Sequence, residues 1–123
     1  MDSKYVQNIS IGGFMKIAVI GSRGLCVEDL GKYLPKNVTE LVSGGARGVD
    51  SCVRSYAETE GIALTEFLPQ YRHFGRAAPL KRNIEIVAYA DEVIAFWDGS
   101  SRGTKQVIET CQKTGKPITV YRM

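Results

Sequence analysis

The sequence predicts one α/β domain: a Rossmann-like three-layer fold with a five-stranded parallel sheet and helices on both faces. Three observations predict it. Five short apolar runs are β-branched or aromatic and nearly continuous, as strands covered on both faces should be. Helical apolar stripes lie between those runs. The chain has 123 residues, 44% hydrophobic and 24% charged, which suits a single domain able to bury roughly 65% of its unfolded surface.

Residues 1–14 show no period and contain the Gly12-Gly13 break, whereas Met15 leads at once into an apolar run. They read as an N-terminal extension, leaving 15–123 as the domain. Strands are expected at Lys16–Ile20, Thr39–Val42, Ala63–Phe67, Glu92–Trp97 and Pro117–Tyr121. Val27, Leu30 and Leu34 predict a short first helix that stops before Pro35. Val49, Cys52, Val53, Tyr56 and Ala57 follow the i, i+3, i+4, i+7, i+8 spacing of a second. Leu80, Ile84, Val87 and Ala88 give a third stripe, and Thr104, Val107, Ile108 and Cys111 a fourth. Gly61 and Gly115 stand where C-terminal caps belong. Alternating strands and helices make the sheet parallel. Right-handed crossovers then carry every strand-to-helix loop to one edge, where ligands bind near the topological switch point.

Three of those loops are glycine-rich, contain an arginine and feed a helix. Gly21-Ser22-Arg23-Gly24 follows the first strand, and Ser43-Gly44-Gly45-Ala46-Arg47-Gly48-Val49-Asp50 the second. Asp98-Gly99-Ser100-Ser101-Arg102-Gly103-Thr104 follows the fourth. Glycine lets the backbone approach a phosphate, and free N–H groups at a helix start favour an anion. Arginine adds a charge-assisted contact. The three together predict a phosphate-bearing ligand. Arg23, Arg47 and Arg102 would hold phosphate with the N–H groups of Gly21, Gly44, Gly45, Gly48 and Gly103. Ser22, Ser43, Ser100 and Thr104 would supply hydroxyls. Neither a Walker A motif nor a full GxGxxG fingerprint is present, which disfavours ordinary P-loop NTPases and NAD dehydrogenases. The basic segment Tyr71–Asn83 reads either as a solvated loop entering a helix at Pro79 or as a lid bringing Arg76, Arg82 and Asn83 to the ligand.

The Ser43–Asp50 segment resembles the SGxARGxD signature of the SLOG superfamily, the Rossmann-like group of the DNA-processing protein Smf/DprA and the lonely-guy phosphoribohydrolases. With Gly-Ser-Arg after the first strand, Arg82-Asn83, and the run Ile94–Thr104, the chain looks like its small YspA-like branch from Lys16 to Tyr121. The resemblance implies a five-stranded Rossmann-like sheet that binds a nucleotide or a nucleotide-derived ligand as sensor, carrier or enzyme. It alone suggests a homodimer. The lonely-guy enzymes carry a PGGxGTxxE motif whose Glu serves N-glycosidic cleavage. Aligning Gly103-Thr104 with its GT puts Val107 at the Glu position, with Glu109 on another helical face.

Two other readings stand beside ligand binding. One is a nucleotide N-glycosidic hydrolase in which Asp98 or Asp50 replaces the missing Glu. The other is a DNA-processing-type nucleic-acid-binding module using Arg72 to Arg82, with which a net charge of +3 and a pI of 8.8 are compatible but not decisive. Asp50 otherwise stabilises its helix start, hydrogen-bonds a ligand ribose or positions Arg47; Asp98 otherwise caps its loop, and Trp97 either packs in the core or stacks on a base. His73 has no partner fixed by sequence for a triad. Cys26, beside Arg23, is either a thiol of lowered pKa or a buried inert one. Three scattered cysteines without CxxC fit reduced thiols and give no metal site, and no cofactor is implied. No apolar run approaches the ~18 residues of a membrane span and no signal pattern is present, so the cytoplasm is the default expectation.

Overall fold

Strand β1 (Lys16–Gly21) lies at the centre of the sheet because its residues Ile17 to Ile20 are apolar on both faces and buried on both. The computed structural model describes residues 14–123; all but Phe14 of the extension expected at 1–14 lies outside the described residues. β1 pairs in parallel with β2 (Glu40–Ser43), placing Ala18 beside Val42, and with β4 (Glu92–Trp97), placing Ala18 beside Val93. Beyond these lie β3 (Ala63–Glu66) and β5 (Ile118–Arg122), so the order is β3-β2-β1-β4-β5, all parallel.

Each face of the sheet carries its own core. On one, Ile17, Val19, Leu41, Ile94 and Phe96 pack against Val49, Val53 and Ala57 of helix α1 (Val49–Glu60) and against Val27 and Leu30. On the other, Ala18, Ile20, Val42, Val93 and Ala95 meet two helices. The first of those helices is introduced by a short α2 (Tyr71–Phe74) and a 3-10 turn (Gly75–Ala77). α3 (Ala78–Tyr89) contributes Ile86 and Val87, and α4 (Arg102–Thr114) contributes Val107 and Cys111. Each fully buried Val, Leu, Ile or Phe among them contributes roughly 1.5–3 kcal/mol. Gly61 and Gly115 close α1 and α4 in the left-handed conformation, with φ of 68° and 78°.

Two elements differ from the sequence reading. The first helix is a single 3-10 turn, Leu30–Tyr33. Asp29 before it takes a left-handed conformation (φ 57°), so no helix runs back to Val27, and Pro35 lies just beyond. The stripe Leu80, Ile84, Val87, Ala88 is not the buried face of α3. Leu80 and Ile84 are half exposed and Ala88 is exposed, while Asn83, Ile86, Val87 and Ala90 face inward. A polar residue interrupts the true stripe, and its amide is satisfied inside. Asn83 donates from Nδ2 to Gln106 Oε1 at 2.8 Å and accepts at Oδ1 from Arg82 Nε at 2.9 Å. Among the described residues, no helix is long and apolar enough to cross a membrane.

Candidate functional site

The strand order reverses at β1, and just beyond the carboxyl ends of β1 and β4 a cleft of about 430 Å³ opens. It is built by three loops and one helix. Gly21, Ser22, Arg23 and Gly24 line it after β1; Gly44, Ala46 and Asp50 after β2; Asp98, Ser101, Gly103 and Thr104 after β4. Pro79, Arg82, Asn83 and Ile86 of α3 form the remaining wall, with Ile20 at the floor.

The first two loops touch. Gly48 has φ of 73°, and a Cβ there would stand 2.2 Å from the Arg23 carbonyl oxygen. A Cβ on Gly21 would meet Val49 at the start of α1 at the same distance. These two glycines let the end of β1 lie directly on the α1 N-terminus. The fourth-strand loop is shaped by Asp98, whose Oδ1 accepts from the N–H groups of Ser100 (2.9 Å) and Ser101 (2.8 Å). Those N–H groups, with the Ser22 and Ser100 hydroxyls, hold the Asp98 carboxyl below the usual range. Ser101 caps α4, its Oγ accepting from the Thr104 N–H at 3.5 Å, and its carbonyl accepts from the Trp97 indole at 3.1 Å.

Asp50 and Arg82 are the charges set deepest in the cleft walls. Asp50 is 8% exposed, and its Oδ2 accepts from the Ala46 N–H at 2.9 Å. Burial pushes its carboxyl up, against the pull of that N–H and of Arg82. Arg82 donates from Nη1 to the carbonyl oxygens of Gly44 at 2.7 Å and Phe67 at 3.2 Å. Burial lowers its pKa, an effect that the nearby Asp50 opposes.

Of the residues read as ligand-binding, Gly21, Ser22, Arg23, Gly44, Arg82, Asn83, Asp98, Gly103 and Thr104 line the cleft. Ser43, Gly45, Arg47, Gly48, Ser100 and Arg102 do not. Arg47 and Arg102 are exposed; Ser43 is fully buried, its Oγ accepting from the Gly45 N–H at 3.2 Å. Gly45 and Gly48 serve the turn through positive φ. Arg76 and His73 lie exposed on the approach to α3, outside the cleft. Cys26 fits neither expectation: it is exposed, and contact with Cys52 pushes its thiol up.

One relative decides the family. Over 84 residues, covering 63% of this chain and 67% of the relative, the sequence is 38% identical to the gene 61 protein of Mycobacterium phage D29. The chain belongs to the family of that gene 61 protein. No family model matches the chain, and no solved structure matches it.

Sequence reading missed Gly24, Ala46, Pro79, Ser101, Ile20 and Ile86 as lining residues of this gene 61 family cleft. For Ser101 the signal was present: a serine three residues before Thr104 at a helix start is an N-cap. Pro79 and Ile86 depend on how α3 is rotated, which its apolar pattern misreports.

Proposed function

We propose that this protein binds a nucleotide or nucleotide-derived ligand, phosphate inward, in the cleft beyond β1 and β4, as a SLOG-type sensor or carrier. The observation that carries this reading is the meeting of three glycine-containing loops and the α4 N-terminus on one cleft. The first N–H groups of any helix lack intrahelical partners and attract anions. In α4 the backbone around Gly103 borders the cleft, with the exposed Arg23 across from it on the β1 loop. A cleft of about 430 Å³ falls within the ~300–1,000 Å³ typical of small-molecule sites. Asp50 supplies a buried carboxylate suited to a sugar hydroxyl.

Two details weigh against the hydrolase reading. Val107, at the position where lonely-guy enzymes carry their Glu, is fully buried in the core. Asp98 already spends Oδ1 on its own loop and is held ionised, which suits it poorly for donating a proton.

A thermal-shift screen of nucleoside monophosphates, dinucleotides, cyclic nucleotides and ADP-ribose tests the proposal. At a ligand concentration ~100-fold above Kd, stabilisation of about 2.7 kcal/mol is expected. A shift with at least one phosphate-bearing nucleotide, lost in Arg23→Ala, supports it. Unchanged unfolding with every compound overturns it.

A further inference from the structure

Cys26 and Cys52 are 26 positions apart in sequence, yet their Sγ atoms lie 3.5 Å from one another and share a hydrogen bond. Cys26 is exposed in the irregular segment after β1, and Cys52 lies partly buried in the first turns of α1. Cys111, by contrast, is buried in the opposite core. We infer that Cys26 and Cys52 form a modification site: a dithiol that a low-molecular-weight disulfide converts to an intramolecular disulfide.

The geometry asks little of the fold. A disulfide needs about 2.05 Å between sulfurs, so the two must close by roughly 1.5 Å from their 3.5 Å separation. Cys26 stands outside any helix or strand, where backbone adjustment disrupts no ladder of hydrogen bonds. Exposure also decides the order of events. The Cys26 thiolate attacks one sulfur of the small disulfide, forming a mixed disulfide and releasing one small thiolate. Cys52 then attacks Cys26 Sγ, forming the protein S–S bond and expelling the second small thiolate. Two protein thiols are oxidised and one small disulfide is reduced to two thiols, with both protons passing to solvent or to the products.

The bond joins two walls of the cleft. Cys26 is two residues past Gly24, and Cys52 two residues past Asp50, both lining residues. Oxidation would therefore pin the β1 loop to α1 where Gly48 already touches Arg23.

Incubation of the ligand-free native protein with glutathione disulfide, followed by intact mass and thiol counting after denaturation, tests this. The expected product is lighter by two hydrogen atoms, and its free thiols fall from three to one. Peptide mapping then links the segments bearing Cys26 and Cys52. Cys52→Ser should instead retain glutathione on Cys26, and Cys111→Ser should behave as the parent. Retention of glutathione on Cys26 in the parent protein, a disulfide between two chains, or three surviving thiols would each overturn the inference. No nucleotide takes part, so this result is independent of the ligand proposal.

Discussion

The guanidinium of Arg82 holds the carbonyl oxygen of Gly44 at 2.7 Å, so a side chain of α3 fixes the loop that follows β2. The same Nη1 reaches the Phe67 carbonyl at 3.2 Å, and Nε holds Asn83. One residue thus joins the exits of two neighbouring strands to the helix wall of the cleft.

Arg82→Ala should lower stability by about 1.5–3 kcal/mol, the range for hydrogen bonds to a charged group. Arg82→Lys keeps the charge without the planar fork and should fall between the two. Urea unfolding midpoints measure both; an unchanged midpoint in Arg82→Ala would show that the bridge contributes nothing.

Two positive-φ glycines should respond differently to alanine. At Gly61 a Cβ meets nothing, so only the left-handed backbone cost of about 1–2 kcal/mol applies. At Gly48 the same cost is joined by a clash with the Arg23 backbone. Gly48→Ala should be clearly the less stable variant in thermal unfolding, and equal losses would refute the contact between the loops.

Asp50 and Asp98 should shape the acid limb of stability in opposite senses. Asp50 is raised in the folded state, so the fold binds its proton more tightly than the unfolded chain does. Its contribution is most favourable at low pH and is lost as pH rises from the ordinary range near about 4 through the raised value. Asp98 is lowered, so its contribution is present above the ordinary range and lost as pH falls through the depressed value. Chemical unfolding between acid and neutral pH should show Asp50→Asn losing a decline with rising pH, and Asp98→Asn losing a gain.

For ligand affinity, Arg23→Ala should weaken binding of whichever nucleotide the screen selects by about 1.5–3 kcal/mol. Arg47→Ala should change it less, because Arg47 is exposed and does not line the cleft. Titration calorimetry decides the ranking, and a larger loss at Arg47 would move the phosphate site out of the cleft.

Release of free base from AMP should be undetectable by chromatography, since Val107 cannot stabilise an oxocarbenium-like centre. Base release abolished by Asp50→Asn would reinstate the hydrolase reading.

Strands and loops were legible because their signals are local. Buried β-branched runs marked β1 and β4, and glycines marked the exits that meet at the cleft. What escaped depends on partners distant in sequence. The rotation of α3 is set by Asn83, a polar residue buried because Arg82 and Gln106 satisfy it. That Arg47 is exposed and does not line the cleft depends on the turn at Gly45 and Gly48, both of positive φ, which composition alone does not report. The Cys26–Cys52 contact is set by how α1 packs on β1, which no spacing reports.

The central place of β1 has a consequence for how the protein is made. Its partner β4 comes so late that Lys16 N–H bonds a side chain 75 positions downstream, at Asp91. Pairing across such a separation pays loop-closure entropy before any contact rewards it. During synthesis the first two glycine loops therefore emerge long before the wall they face, and the cleft cannot exist until the ribosome has released Trp97 and the turns that follow. A nascent chain halted earlier would display an unpaired edge of β1, the surface most open to capture by another strand.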